Sequence, residues 1–196
     1  MAFLKKLFFF IISLLVVLGL VGMLLPNEMV VERTVMINAA PEKIFPYVNN
    51  FRKSQEWSPW AKIDPQGTTY KYEGPEQGVG HKVTWSSENK NVGKGVQEII
   101  ESEESARVKT ALDFYEHGKA NAEFKLQPSA SGTSVSWAFN SPLGANPVAR
   151  WMGLIFKPMI SSQFEQGLAS MKTLIEALPD ETPSAASDAT TPSTTP

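Results

Sequence analysis

The chain has no cysteine. That excludes disulfides, thiol nucleophiles and thiolate metal sites. It leaves the compartment open, because a disulfide-free chain works on either side of a membrane. Histidine is nearly as scarce, with only His81 and His117. No H-x-x-x-H or H-x-H spacing occurs, so a zinc site or a Ser-His-Asp triad would rest on one of the two. His117 precedes Gly118 in a turn, where water solvates it, and His81 opens a strand that lets it face either way. Excess charge of one sign is also missing: 18 Lys and Arg meet 20 Asp and Glu, for a net charge of −2. Without a basic run, no nucleic-acid partner is expected. Gly78-Val79-Gly80 and Gly93-Lys94-Gly95 complete no phosphate-binding pattern and open no helix, so they read as turns or bulges. Glu98, Glu101, Glu103 and Glu104 cluster, but on a regular strand Glu98 and Glu101 point to opposite faces, which separates a would-be acid–base pair. The expectation is no catalytic residue, no metal and no cofactor.

What is present begins with a long apolar run. Leu7 to Leu25 carries no charge and is broken only by Ser13, Gly19 and Gly22. At about 19 residues it can span a hydrocarbon core of about 30 Å. Lys5 and Lys6 precede it, so the positive end stays in the cytoplasm and the rest lies outside, periplasmic or extracytoplasmic. A cleaved signal peptide is the rival reading, but no Ala-x-Ala site follows and its apolar part is usually shorter. The segments are a stub over 1–6, a transmembrane helix over 7–25, a folded domain over 29–178 and a tail over 179–196. The tail is Ser, Thr, Ala, Pro and acid, which cannot build a core and reads as disordered.

The folded part is mostly strand. Met29 to Ile37 is β-branched and partly alternating. Pro41 then opens a short helix with Ile44, Phe45 and Val48 inward, and Pro46 should shorten or kink it. Phe51 to Gln55 adds another turn of helix. Trp57-Ser58-Pro59-Trp60 makes a rigid aromatic loop. Strands follow at Thr68 to Tyr72, His81 to Ser86, Val92 to Ser102, Arg107 to Glu116, Lys119 to Gln127 and Thr133 to Asn140, joined by short turns that imply antiparallel pairing. Val148 to Phe156 reads as a short apolar helix. A second, long helix starts at Pro158 and places Phe164, Leu168, Met171, Leu174, Ile175 and Leu178 on one stripe. The class is α+β: a curved antiparallel sheet of about six or seven strands around a long C-terminal helix, plus the N-terminal transmembrane helix. A twisted sheet of this size curls, and one helix cannot fill its hollow, so a cavity between them is expected.

Val31 to Phe45, with its Asn38-Ala39-Ala40-Pro41-Glu42 helix start, the Trp57-to-Trp60 loop, Gly118 to Phe124, and Phe164 to Leu168 together resemble the polyketide cyclase/START-like superfamily, the helix-grip (SRPBCC) fold. The likeness covers roughly residues 29–178 and is greatest to bacterial members with an N-terminal anchor. It implies a small hydrophobic ligand or lipid held between sheet and long helix, and it implies no particular reaction.

The candidate ligand-binding residues are Trp57, Trp60, Trp85, Phe114, Trp137, Phe139, Met152, Phe156, Met159 and Phe164. Each alone is ordinary core filling, but together they are too many for one helix to cover, so some should line a pocket. The methionines add adaptable surface. Tyr70, Tyr72, Arg150 and Lys157 are polar groups that could orient a ligand or simply face solvent. Three functions follow. The first is a membrane-anchored module binding a hydrophobic small molecule or lipid. The second is a cyclase or hydratase, which needs a positioned acid–base pair. The third is a fully packed interaction domain without a ligand.

Overall fold

Strand β1, Glu28–Ile37, alternates exposed and buried along nearly its whole length, with Met29, Val31 and Ile37 inward. Such period-two burial commits one face of a strand to a core and the other to water. The computed structural model describes residues 2–179 of the chain. After β1 come α2 (Pro41–Val48), α3 (Phe51–Ser54), β2 (Thr69–Glu73), β3 (Lys82–Ser86), β4 (Lys94–Glu103), β5 (Arg107–Asp113), β6 (Lys119–Ser129), β7 (Gly132–Pro142) and α4 (Pro147–Ala177). Helix α1, Ala2–Leu24, precedes them. The strands form one antiparallel sheet in the order β1-β7-β6-β5-β4-β3-β2. Short connections give each strand from β2 onward its chain neighbour as partner. The long link through α2 and α3 carries the chain from one edge of the sheet to the other. The tail expected to be disordered lies, from residue 180 onward, outside the described residues.

Pro46 sits inside α2 without ending it, and Ile44 and Val48 are buried as the sequence predicts. Asn50 caps α3, its side chain accepting from the backbone N–H of Arg52 at 2.8 Å. Such capping satisfies donors that a helix start leaves free. On the sheet, the cross-strand rows put Val31, Phe139, Ala122, Thr110 and Ile99 side by side on the inner face, and Trp137, Phe124 and Val108 in the next row.

The structure corrects two expectations. The short helix at Val148 to Phe156 and the long helix from Pro158 are one helix of 31 residues with Pro158 inside it. Proline in a helix interior removes one hydrogen bond. The helix continues because both halves are held by tertiary contacts: the first by α1 and the second by the sheet. The other correction concerns Glu98 and Glu101, which share the outer face. A register shift between Ile99 and Glu101 inserts one extra residue in β4. A bulge flips the alternation beyond it. Glu98 pairs with Lys82 at 2.9 Å, and Glu101 pairs with Lys109 at 3.1 Å and with Arg107 at 2.7 Å. The hydrogen bond from Lys109, with the charges of Lys109 and Arg107 behind it, holds the Glu101 carboxyl below its usual range. These carboxylates are ion-paired on the solvent side of the sheet.

Candidate functional site

The second half of α4 meets the sheet through an aromatic cluster. Phe164 is 2% exposed and lies flat on Trp137, with ring centroids 3.7 Å apart. Trp137 stacks on Phe124 at 5.0 Å. Trp57 stands edge-on to Trp137 at 5.3 Å and to Phe124 at 5.8 Å. Its indole N–H donates to the Tyr47 carbonyl at 2.9 Å, which ties the Trp57-to-Trp60 loop to α2. Trp60 and Phe139, both half-buried, stand edge-on to Phe164 at 6.1 and 6.3 Å. Edge-to-face and offset-stacked pairs of this kind are the favoured aromatic geometries. Gly167 faces the cluster: a Cβ there would come within 3.0 Å of Trp137 and 3.1 Å of Pro59. The helix can lie this close because that position has no side chain.

Of the ten candidate residues, the structure thus brings together Trp57, Trp60, Trp137, Phe139 and Phe164. Phe124, which the strand pattern places in the core, completes the group. Trp85 and Phe114 form a separate edge-on pair at 5.9 Å, half-buried, with the Trp85 ring lying over Gly95. Met152, Phe156 and Met159 are exposed on the first half of α4. Rings therefore occupy much of the room expected between helix and sheet, because the Trp57-to-Trp60 loop folds in beneath Gly167.

Open space lies on the flank of α4 that faces β1. A hollow of about 230 Å³ is lined by Pro26, Met29, Leu143, Arg150, Gly153 and Lys157, among others. A shallower groove of about 410 Å³ continues along the helix past Lys157, Ser161 and Glu165 to Arg33. Arg33 and Glu165 pair across it at 2.6 Å. Arg150 and Lys157, read as possible orienting groups, do line the hollow. Arg150 is also a clasp, donating to the carbonyls of Met23 at 2.6 Å, Leu25 at 3.1 Å and Gly144 at 2.9 Å.

Two buried polar atoms have no partner among the described residues: the indole nitrogen of Trp137 and Nε2 of His81. His81 is 2% exposed, so it faces inward. Its ring lies between Phe51 at 5.1 Å and Tyr72 at 6.2 Å, and Nδ1 is 2.7 Å from the Pro75 carbonyl. A carbonyl only accepts, so Nδ1 is the donor in this bond. Beyond Tyr72 the Arg52 guanidinium lies 4.0 Å from the ring centre. Burial pushes the Tyr72 hydroxyl up, and Arg52 opposes that shift. No group of three or more His, Asp or Glu suited to a metal occurs among the described residues.

A seven-stranded antiparallel sheet with a long C-terminal helix packed against it is the helix-grip class. Residues 28–176 match the family described as polyketide cyclase/dehydrase and lipid transport, and the chain belongs to that family. The solved structures agree on the fold. A protein of unknown function from Staphylococcus aureus, SA2116, superposes with a TM-score of 0.59 at 13% identity, over 76% of this chain and 94% of that one. The protein CV1439 from Chromobacterium violaceum gives 0.54 at 17% identity, over 76% and 97%. The di-domain aromatase/cyclase StfQ of the steffimycin biosynthetic pathway gives 0.58 at 9% identity, over 76% of this chain and 51% of that one. No curated protein matches the sequence.

Proposed function

We propose that this is a membrane-anchored helix-grip domain that binds a small hydrophobic molecule or lipid against the aromatic cluster beneath α4. The observation that carries the reading is the Trp137 indole N–H. It is buried among Phe124, Trp57, Trp60 and Phe164 and has no acceptor. An unmet buried donor is rare and calls for an explanation. A bound apolar molecule with one oxygen would supply the acceptor, and half-buried Trp60 and Phe139 are the rings that can give way to admit it. The family description, with its cyclases and lipid transport proteins, supports the same ligand class.

Anchoring is supported by α1 itself. Phe3–Leu24 is long and apolar enough to cross a bilayer, and a signal sequence would pass the same test. Specific contacts with the folded domain favour retention. Gly22 is buried against Pro147 and Trp151, and the Trp151 indole donates to the Leu18 carbonyl at 3.0 Å. A segment destined for removal has no use for these bonds.

Trp137→Phe tests the ligand site, because it keeps an aromatic ring in the stack while removing the indole donor and part of the indole's volume. Titrated with the apolar probe anilinonaphthalene sulfonate, the variant should bind about 3- to 10-fold more weakly, the range expected for one lost hydrogen bond. Its stability should fall by only about 1–2 kcal/mol, the cost of the indole volume left unfilled, since the donor itself is unmet in the free protein. Equal affinity in both proteins would remove Trp137 from the site.

A further inference from the structure

Helix α4 carries two apolar stripes, and the sheet uses only one. In the second half, Phe164, Leu168, Met171 and Ile175 are buried. In the first half, Val148, Met152, Ile155 and Met159 follow one another at four-, three- and four-residue steps, which places them on a single face. All four are open to solvent, at 65, 38, 63 and 55% exposure. Continued past Met159, the same face carries Ser162, Gln166, Ser170 and Thr173 and is polar. The apolar face therefore ends where the helix leaves the vicinity of α1.

We infer that this face lies in the lipid bilayer, making the first half of α4 a second membrane-engaging element beside α1. The contacts with α1 set its depth. Trp151 reaches the Leu18 carbonyl, six residues before the end of α1 at Leu24. At about 1.5 Å per residue, that is roughly 9 Å inside the apolar span. Pro147 meets Gly22, also inside the span. Farther along α4, Leu154 and Lys157 line the hollow with Pro26, Glu28, Met29 and Val30, just beyond the span's end. The helix thus rises out of the apolar layer as it runs toward Met159. Its cations sit at the boundary: Arg150 binds the last carbonyls of α1, and Lys157 has no ion-pair partner among the described residues. Arg and Lys at that level are usual anchors of a membrane interface. The neighbour continuous with this face is the lipid that surrounds α1. The domain is then docked against the bilayer, with the flank groove of α4 opening at the lipid surface.

The inference rests on α1 being a retained anchor, and one experiment separates the two claims. The chain has no cysteine, so Leu15→Cys, Ile155→Cys, Met159→Cys and Lys125→Cys each give one nitroxide label in the full chain. Reconstituted in phosphatidylcholine–phosphatidylglycerol liposomes, the labels at 15 and 155 should collide severalfold more with oxygen than with a water-soluble nickel chelate, relative to the label at 125, and the label at 159 should fall between 155 and 125. The label at 159 should be shallower than that at 155. Labels at 155 and 159 that behave like 125, while 15 is in lipid, would overturn the docking and leave the anchor standing. Spin–spin broadening at 155 and 159, with both reagents excluded, would mean that a second copy covers the face and would also overturn it. A water-exposed label at 15 would overturn both claims.

Discussion

Phe164→Ala should lower stability by about 3–5 kcal/mol, the cost of removing a buried ring from a core that cannot collapse around the gap. Phe164 is the single side chain of α4 that touches Trp137, Trp60 and Phe139 together. Its removal unseats the clamp as well as leaving a hole. For a domain of this size the melting temperature should drop by roughly 6–20 °C, at about 2–4 °C per kcal/mol. Urea unfolding followed by tryptophan fluorescence measures this directly. Phe164→Leu, which keeps most of the volume, should cost clearly less. Equal losses for the two would mean that retained volume gives no protection, and would contradict a cost set by the space left behind.

Gly132→Ala should be among the most damaging changes outside the core. Gly132 opens β7 with φ at +121°, and a Cβ there would overlap the carbonyl oxygen of Ile37. The backbone conformation alone costs a residue with a side chain about 1–3 kcal/mol. The overlap adds to this by forcing apart β1 and β7 at the Ile37–Thr133 end of their ladder. The Thr133 hydroxyl, which donates to the Ala39 carbonyl at 2.7 Å, would shift with it. The expected result is a lower urea midpoint and faster amide exchange from Val35 to Ile37 and from Thr133 to Val135. Gly144→Ala is the control: its φ is also positive, at +63°, but a Cβ there meets nothing. A Gly132→Ala protein no less stable than Gly144→Ala would contradict this account of the turn.

These residues also show what the sequence made legible. Alternation in the sequence puts Val108, Thr110, Leu112 and Phe114 on one face of the strand from Arg107, Ala120, Ala122, Phe124 and Leu126 on one face of the next, and Val135, Trp137 and Phe139 on one face of the last. All are buried except Leu112, Phe114 and Phe139, which are half-buried toward the strand ends. The stripe of α4 from Phe164 to Ile175 followed from helical spacing in the same way. Pro158 misled because proline more often opens a helix than sits inside one, and only the contacts on either side show why the helix passes through it. The bulge in β4 carries no local mark, so the faces of Glu98 and Glu101 could not be assigned. The aromatic candidates divided for a related reason. Periodicity sets the face of a strand residue, but the path of the Trp57-to-Trp60 loop depends on the Trp57–Tyr47 hydrogen bond and on the gap at Gly167. Both join residues far apart in the chain. The exposed first half of α4 was legible as apolar, whereas its alignment with α1 required the bonds from Arg150 and Trp151.

The central claim is that the aromatic clamp beneath α4 holds an apolar molecule, and native mass spectrometry of the full chain released from nanodiscs tests it most directly. The account predicts a population heavier than the bare chain by the mass of one small hydrophobic molecule or lipid, diminished in Trp137→Phe. A bare chain alone, with no uptake when anilinonaphthalene sulfonate or lipid is added, would contradict it.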